Sequence, residues 1–200
     1  MARRRRPHMI FELRAYDLIP GKAPDYIDLF RKDGVQYVTR HLPMGGYWLT
    51  DSGMLNRLYH LWIYESLEER MECRAGLATD ADWNTRFVPK GFPLILSQRN
   101  MLMEVTEASS DLQAVVAARR ESHAGQGDAD PVFGPDYLSL TSGPARADGA
   151  EILGRWRCVS GENPGQVTTL YRHRRDDPFS TAPGAERHEL LRALSCSPLR

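Results

Sequence analysis

Apolar and polar side chains alternate along residues 9–16, and this period of two predicts a β-strand. One face of that strand carries Phe11, Leu13 and Ala15, and the other carries Glu12, Arg14 and Tyr16. Residues 56–64 alternate in the same way. There, one face carries Tyr59, Leu61 and Ile63, and the other carries His60, Trp62 and Tyr64. The sequence therefore predicts two strands that each have one apolar face and one face mixing charged and aromatic groups.

The segments around these strands complete a β-α-β-β-α-β order. Ser66 and Glu69 form a capping box, which predicts the start of the second helix. The predicted elements are strands at 9–16, 47–51, 56–64 and 94–105, and helices at 23–38 and 66–78. This order is typical of a ferredoxin-like α+β domain, which we place at residues 9–105.

The rest of the chain has a weaker pattern. Residues 106–136 are predicted to form a linker that contains a solvated helix at 109–121. The following segment, 137–200, is predicted to contain strands at 137–141, 155–159 and 166–173 and a short helix at 185–194. These elements are too few for a complete second ferredoxin-like domain.

A short sequence pattern nevertheless occurs in both halves. Gly46-x-Trp48 with Gly53 recurs as Gly154-x-Trp156 with Gly161, at a constant offset of 108 residues. One interpretation is a degenerate second copy that has lost most of its first helix and its last strand. The other is a C-terminal extension unrelated to the first domain.

The composition of the chain argues against several classes of function. Lys plus Arg and Asp plus Glu number 26 each, so the chain lacks the positive surplus of a general nucleic-acid or membrane-surface binder. Arg3–Arg6 is the exception, and we expect residues 1–8 to be a disordered basic arm or an arm that contacts anions. No run approaches the ~20 apolar residues of a membrane span. Three widely spaced cysteines show no metal-binding spacing, so we expect reduced thiols in a cytoplasmic protein without metal or cofactor.

Several motifs of the first domain resemble the NIPSNAP family over about residues 9–103. The most specific are the strand segment His60-Leu61-Trp62-x-Tyr64 and the capping box that follows it. The resemblance implies a unit of the dimeric α+β barrel superfamily, in which two four-stranded sheets form one barrel with helices outside. It thus implies a homodimer, or an intramolecular pseudo-dimer in which residues 137–194 supply the second sheet. Related families include cofactor-independent monooxygenases, haem-degrading enzymes, polyketide cyclases and lactone isomerases, whereas NIPSNAP proteins have no generally assigned reaction.

The mixed polar and aromatic face suggests where a ligand would bind. We expect the helices to cover the Phe11 and Tyr59 face, so that barrel closure encloses the opposite face in a small-molecule cavity. The candidate catalytic residues are His60, Glu12 and Arg14, and the candidate ligand contacts are Tyr16, His41, Tyr47, Trp62 and Tyr64.

Each candidate also has a structural explanation. Glu12 and Arg14 would form a satisfied buried ion pair, His60 would only donate a structural hydrogen bond, and His41 would neutralise a helix C-terminus. As a site, His60 would accept a proton while Arg14 held an enolate or carboxylate. The sequence therefore favours a small-molecule-binding barrel acting as a cyclase, isomerase or monooxygenase on an aromatic or polyketide-like metabolite. The alternative is a non-enzymatic protein whose barrel serves dimerisation.

Overall fold

Eight antiparallel strands of one chain form a closed barrel in the order β1-β3-β2-β8-β5-β7-β6-β4. The structure is a computed structural model and describes residues 9–174 and 183–200. The strands are β1 (Ile10–Leu18), β2 (Met44–Thr50), β3 (Arg57–Tyr64), β4 (Ile95–Ala108), β5 (Phe133–Ser142), β6 (Glu151–Ser160), β7 (Val167–Arg172) and β8 (Arg187–Leu194). The basic arm predicted at 1–8 lies outside the described residues.

The helices lie in the part of the chain between β1 and β5. They are α1 (Ala23–Leu29), which continues through a π-helical turn (Phe30–Gly34) into α2 (Val35–Val38), α3 (Leu67–Thr79), α4 (Val88–Gly91) after a second π turn (Trp83–Phe87), and α5 (Ser110–Ala118). The predicted capping of α3 is confirmed, because the Ser66 hydroxyl accepts from the Glu69 amide at 3.2 Å. None of the described helices is long and apolar enough to cross a membrane.

The two halves of the barrel share one strand order. β4-β1-β3-β2 is followed around the barrel by β8-β5-β7-β6, and the halves join where β2 pairs with β8 and β6 pairs with β4. The sequence pattern shared by the halves also has a common geometry. An added Cβ would lie 2.1 Å from the Trp48 ring at Gly46 and 2.3 Å from the Trp156 ring at Gly154. Two halves with the same strand order therefore close one barrel within a single chain.

The second half keeps its last strand, β8, which was predicted from the sequence to be lost. The prediction of a helix at 185–194 is wrong, because Arg187–Leu194 form the strand β8. Glu, Leu, Arg and Ala are good helix formers, which explains the error. Pairing with β2 on one side and β5 on the other overrides that local preference, and it places Leu191 and Ala193 in the barrel core.

The barrel interior is filled with apolar side chains. They come from both halves and include Phe11, Leu13, Trp48, Leu61, Leu140, Trp156, Leu170 and Leu191. The interior space left between eight of the core residues is about 10 Å³, at most the room of a single water. Among the described residues the barrel centre is therefore a packed core, and the space between these eight side chains is too small for an organic ligand.

This packing reverses the predicted assignment of the two faces. The face with Phe11 and Tyr59 points into the barrel, and the helices cover the face with Tyr16 and Trp62. Alternation correctly predicted which residues share a face. It did not predict which layer covers each face, because both faces are buried and both carry large aromatic side chains.

Candidate functional site

A cavity of about 260 Å³ lies between the outer face of β1, β2 and β3 and the helices that cover it. Seven of the described residues that form its wall are aromatic: Tyr16, Tyr26, Phe30, Tyr47, Trp62, Trp83 and Phe92. Four polar side chains interrupt that wall: Arg14, His60, Arg74 and Gln98. A few polar groups in an aromatic concavity are the usual composition of a small-molecule site.

His60 lies at the base of this cavity on β3 and is only 3% exposed. Its ring stacks on Tyr47 with 4.8 Å between centroids, and the Tyr16 ring packs edge-on at 4.5 Å. The indole Nε1 of Trp62 donates to His60 Nδ1 at 2.8 Å. With Nδ1 accepting, the neutral ring carries its proton on Nε2. No described residue bonds that Nε2.

The environment of His60 keeps the imidazole neutral. Burial, assisted by the Arg14 guanidinium, lowers the pKa of His60 well below its ordinary value of 6.5. The ring therefore offers a buried N–H donor. This state does not suit the predicted role of proton acceptor, since one nitrogen is occupied by Trp62 and the other carries the proton.

Glu12 lies just beside the cavity, outside its lining, and is fully buried. Its carboxylate accepts two hydrogen bonds from Arg70, at 3.0 and 2.9 Å, one from Arg74 at 2.8 Å and one from Asn100 at 2.7 Å. Arg14 adds a longer contact at 3.5 Å. Burial opposes ionisation, yet the hydrogen bonds from Arg70 and Arg74 outweigh it and lower the pKa of Glu12 to about 2. Glu12 thus matches the structural alternative of a satisfied buried ion.

Two arginines line the cavity from opposite layers. Arg14 comes from β1 and donates to the Gln98 side chain at 3.0 Å, whereas Arg74 comes from α3. The Nε of each is buried and bonds no described residue. Arg74 was not among the site residues predicted from the sequence. The available signal was the spacing of Arg70 and Arg74 by four residues, which places both on one face of α3.

The remaining predicted residues divide between the cavity and its surroundings. Tyr47 lies in the lining, with its hydroxyl 3.2 Å from that of Tyr26. Tyr64 is buried outside the lining, and its hydroxyl bonds no described residue. His41 also lies outside and contacts Asp80 at 2.8 Å, which links the end of α2 to the segment after α3. Arg14, Tyr16, Tyr47, His60 and Trp62 therefore share one cavity, and Glu12, His41 and Tyr64 do not line it.

Comparison with known families agrees with this architecture. The NIPSNAP family model matches residues 11–110, which is half of the chain. The chain belongs to the NIPSNAP family. The resemblance noted in the sequence is thus confirmed. The matched residues include β1 from its second residue, β2 to β4 and the helices of the cavity.

The curated relatives are longer than the matched segment. NipSnap homolog 3A of Pongo abelii is 31% identical over 93 residues, which cover 46% of this chain and 37% of the relative. NipSnap homolog 3B of Mus musculus is 37% identical over 79 residues, covering 39% of this chain and 32% of the relative. This chain therefore matches only about a third of their length.

Two kinds of solved structure resemble the chain. A NIPSNAP family protein of unknown function from Agrobacterium tumefaciens is 33% identical, with a TM-score of 0.50, and covers 53% of this chain and 96% of its own. An anthrone oxidase-like protein is 11% identical, with a TM-score of 0.55, and covers 94% of this chain and 91% of its own. At that identity the second likeness shows the fold alone.

Proposed function

We propose that this NIPSNAP family member binds a small, partly apolar molecule in the cavity between its N-terminal sheet and helices. The proposal extends to cofactor-independent chemistry on that molecule, of cyclase, isomerase or monooxygenase type. An aromatic or polyketide-like metabolite fits the ring-lined wall. The observation that carries the proposal is the buried Nε2–H of His60, which bonds no described residue, in an aromatic cavity of about 260 Å³.

The chemistry follows from that donor. A buried N–H group without a partner is unfavourable, and a ligand oxygen placed against it would supply the missing hydrogen bond. The same bond strengthens when negative charge develops on a carbonyl oxygen, as in enolate formation. His60 would therefore stabilise an oxyanion, with Trp62 holding the ring in the donor tautomer.

The second candidate is a non-enzymatic structural protein, and the environment of Glu12 favours it. The carboxylate bridges β1 to α3 through Arg70 and Arg74, so its contacts serve packing of the helix on the sheet. Barrel closure itself needs no second copy in this chain, because β5 to β8 supply the other half. The structural candidate consequently explains Glu12 and leaves the Nε2 of His60 unexplained.

Native mass spectrometry of the protein purified from its own host tests the binding function. We expect the wild-type chain to retain a small molecule and His60→Ala to lose it. His41→Ala is the matched control, since His41 is partly buried and outside the cavity, and it should retain the molecule. A wild-type protein that carries no ligand, together with a His60→Ala variant whose only defect is a lower melting temperature, would support the structural candidate.

A further inference from the structure

We infer that the cavity binds its ligand as an anion, with a carboxylate or enolate oxygen held by Arg14, Arg74 and His60. This inference rests on the proposed binding function and adds the charge of the ligand. Its basis is an imbalance of charge around Glu12 and a set of buried donors without partners.

The imbalance comes from the number of guanidinium groups around one carboxylate. Arg14, Arg70 and Arg74 all contact Glu12, whose low pKa leaves it with a single negative charge. Glu12 therefore neutralises one of three positive charges. Arg14 and Arg74 are the two that also reach the cavity.

The described residues that line the cavity do not offset this surplus. Within the described part of the chain, its lining includes two arginines and no carboxylate. His60 stays neutral and adds no charge, but it does add a donor. Besides burial, Arg14 and Arg74 both lower the pKa of His60, and the effect of Glu12, smaller than that of Arg14, raises it, so the net influence of these charges on the ring is positive.

The unpartnered donors agree with the charge. The Nε atoms of Arg14 and Arg74 and the Nε2 of His60 are buried without a bond to any described residue. Guanidinium groups suit carboxylate oxygens, because their planar N–H groups form charge-assisted hydrogen bonds. Ring-lined walls then select a planar aromatic body for the rest of the ligand.

A matched pair of ligands tests the charge directly in the full chain. Isothermal titration calorimetry would compare 2-naphthoate with its neutral analogue 2-naphthamide at neutral pH and low salt. We expect 2-naphthoate to bind about ten-fold more tightly, the difference expected when a desolvated charge-assisted contact is added. Equal affinity of the two probes would overturn the anionic inference and leave the binding function standing. Binding of neither probe in the millimolar range would count against both.

Two variants locate the effect. Arg74→Gln should remove most of the preference for 2-naphthoate while changing 2-naphthamide affinity little. Arg70→Gln is the matched control, because Arg70 bonds Glu12 as Arg74 does but lies outside the cavity lining. Circular dichroism establishes that each variant is folded, and Arg14→Gln replaces Arg74→Gln if the latter unfolds. A preference that survives both cavity variants would overturn the inference.

Discussion

Glu12 and His60 show how neighbouring residues acquire opposite electrostatic roles. They lie on adjacent strands, where Glu12 pairs with Trp62 and Arg14 pairs with His60. Hydrogen bonds from α3 keep the Glu12 carboxylate ionised despite burial, and burial keeps the His60 ring neutral. The Glu12 carboxylate therefore has its hydrogen-bond partners within the protein, whereas His60 retains an N–H donor for a ligand.

Glu12→Gln should destabilise the protein at neutral pH by about 3 kcal/mol, since the variant loses an ionised carboxylate whose pKa is lowered to about 2. A lowered carboxyl pKa stabilises the folded state above the unfolded value of 4.5. That contribution disappears as the pH falls from about 4.5 towards 2. The difference in the free energy of unfolding between wild type and variant should therefore decrease over the same pH range.

Urea unfolding at a series of pH values measures this difference in the free energy of unfolding. Glu72→Gln is the control, because Glu72 lies on the same helix and is exposed. We expect it to change the free energy of unfolding by less than about 0.5 kcal/mol. A loss in Glu12→Gln that is the same at every pH would show that the ionised carboxylate is not the cause.

At the scale of elements, the repeated Gly-x-Trp segments of β2 and β6 orient both halves of the core. In each segment the Trp ring lies over the glycine two residues before it, and both Trp48 and Trp156 are buried in the barrel. A side chain at either glycine would compete with the ring for the same space. The repeated Gly-x-Trp pattern in the sequence therefore corresponds to the same packing of a Trp ring on a glycine in both halves.

Gly46→Ala and Gly154→Ala should each destabilise the fold by roughly 1–3 kcal/mol, the usual cost of overpacking a rigid core. Thermal unfolding checks both variants. Gly127→Ala is the control, because an added Cβ there would approach only the Asp130 carboxylate, at 3.7 Å. If Gly46→Ala were as stable as Gly127→Ala, the Trp48 ring would have to move freely, contrary to the packing described.

Two segments of similar composition fold differently. Residues 109–121 and 185–194 both have helix-forming compositions, and the structure forms a helix only in the first, at Ser110–Ala118. The second becomes a strand because two exposed strand edges, those of β2 and β5, meet it in space. Local propensity does not contain that information.

At the scale of the whole molecule, the second half closes the barrel that a single ferredoxin-like unit leaves open. The edge of β2 is paired with β8 and the edge of β4 with β6. Unpaired strand edges are the usual reason for such units to associate. Within the described barrel every strand has two neighbours.

We therefore expect the full chain to be a monomer of 22.7 kDa at micromolar concentration. Light scattering after size-exclusion chromatography measures this mass. A fragment ending at residue 119 keeps β1 to β4 and α5 and exposes both edges, so it should dimerise or aggregate. A full chain that stays dimeric on dilution would show that another surface drives association.

The sequence alone determined the elements of the first half, the residues that share each strand face, the helix cap at Ser66 and the family. These properties depend on local periodicity and on neighbours a few residues away. The tertiary structure decided which face is the packed interior, that residues 187–194 form a strand, and that His60 is a neutral donor. Those properties depend on distant partners such as Arg74, 62 residues from Glu12, whose positions only the closed fold brings together.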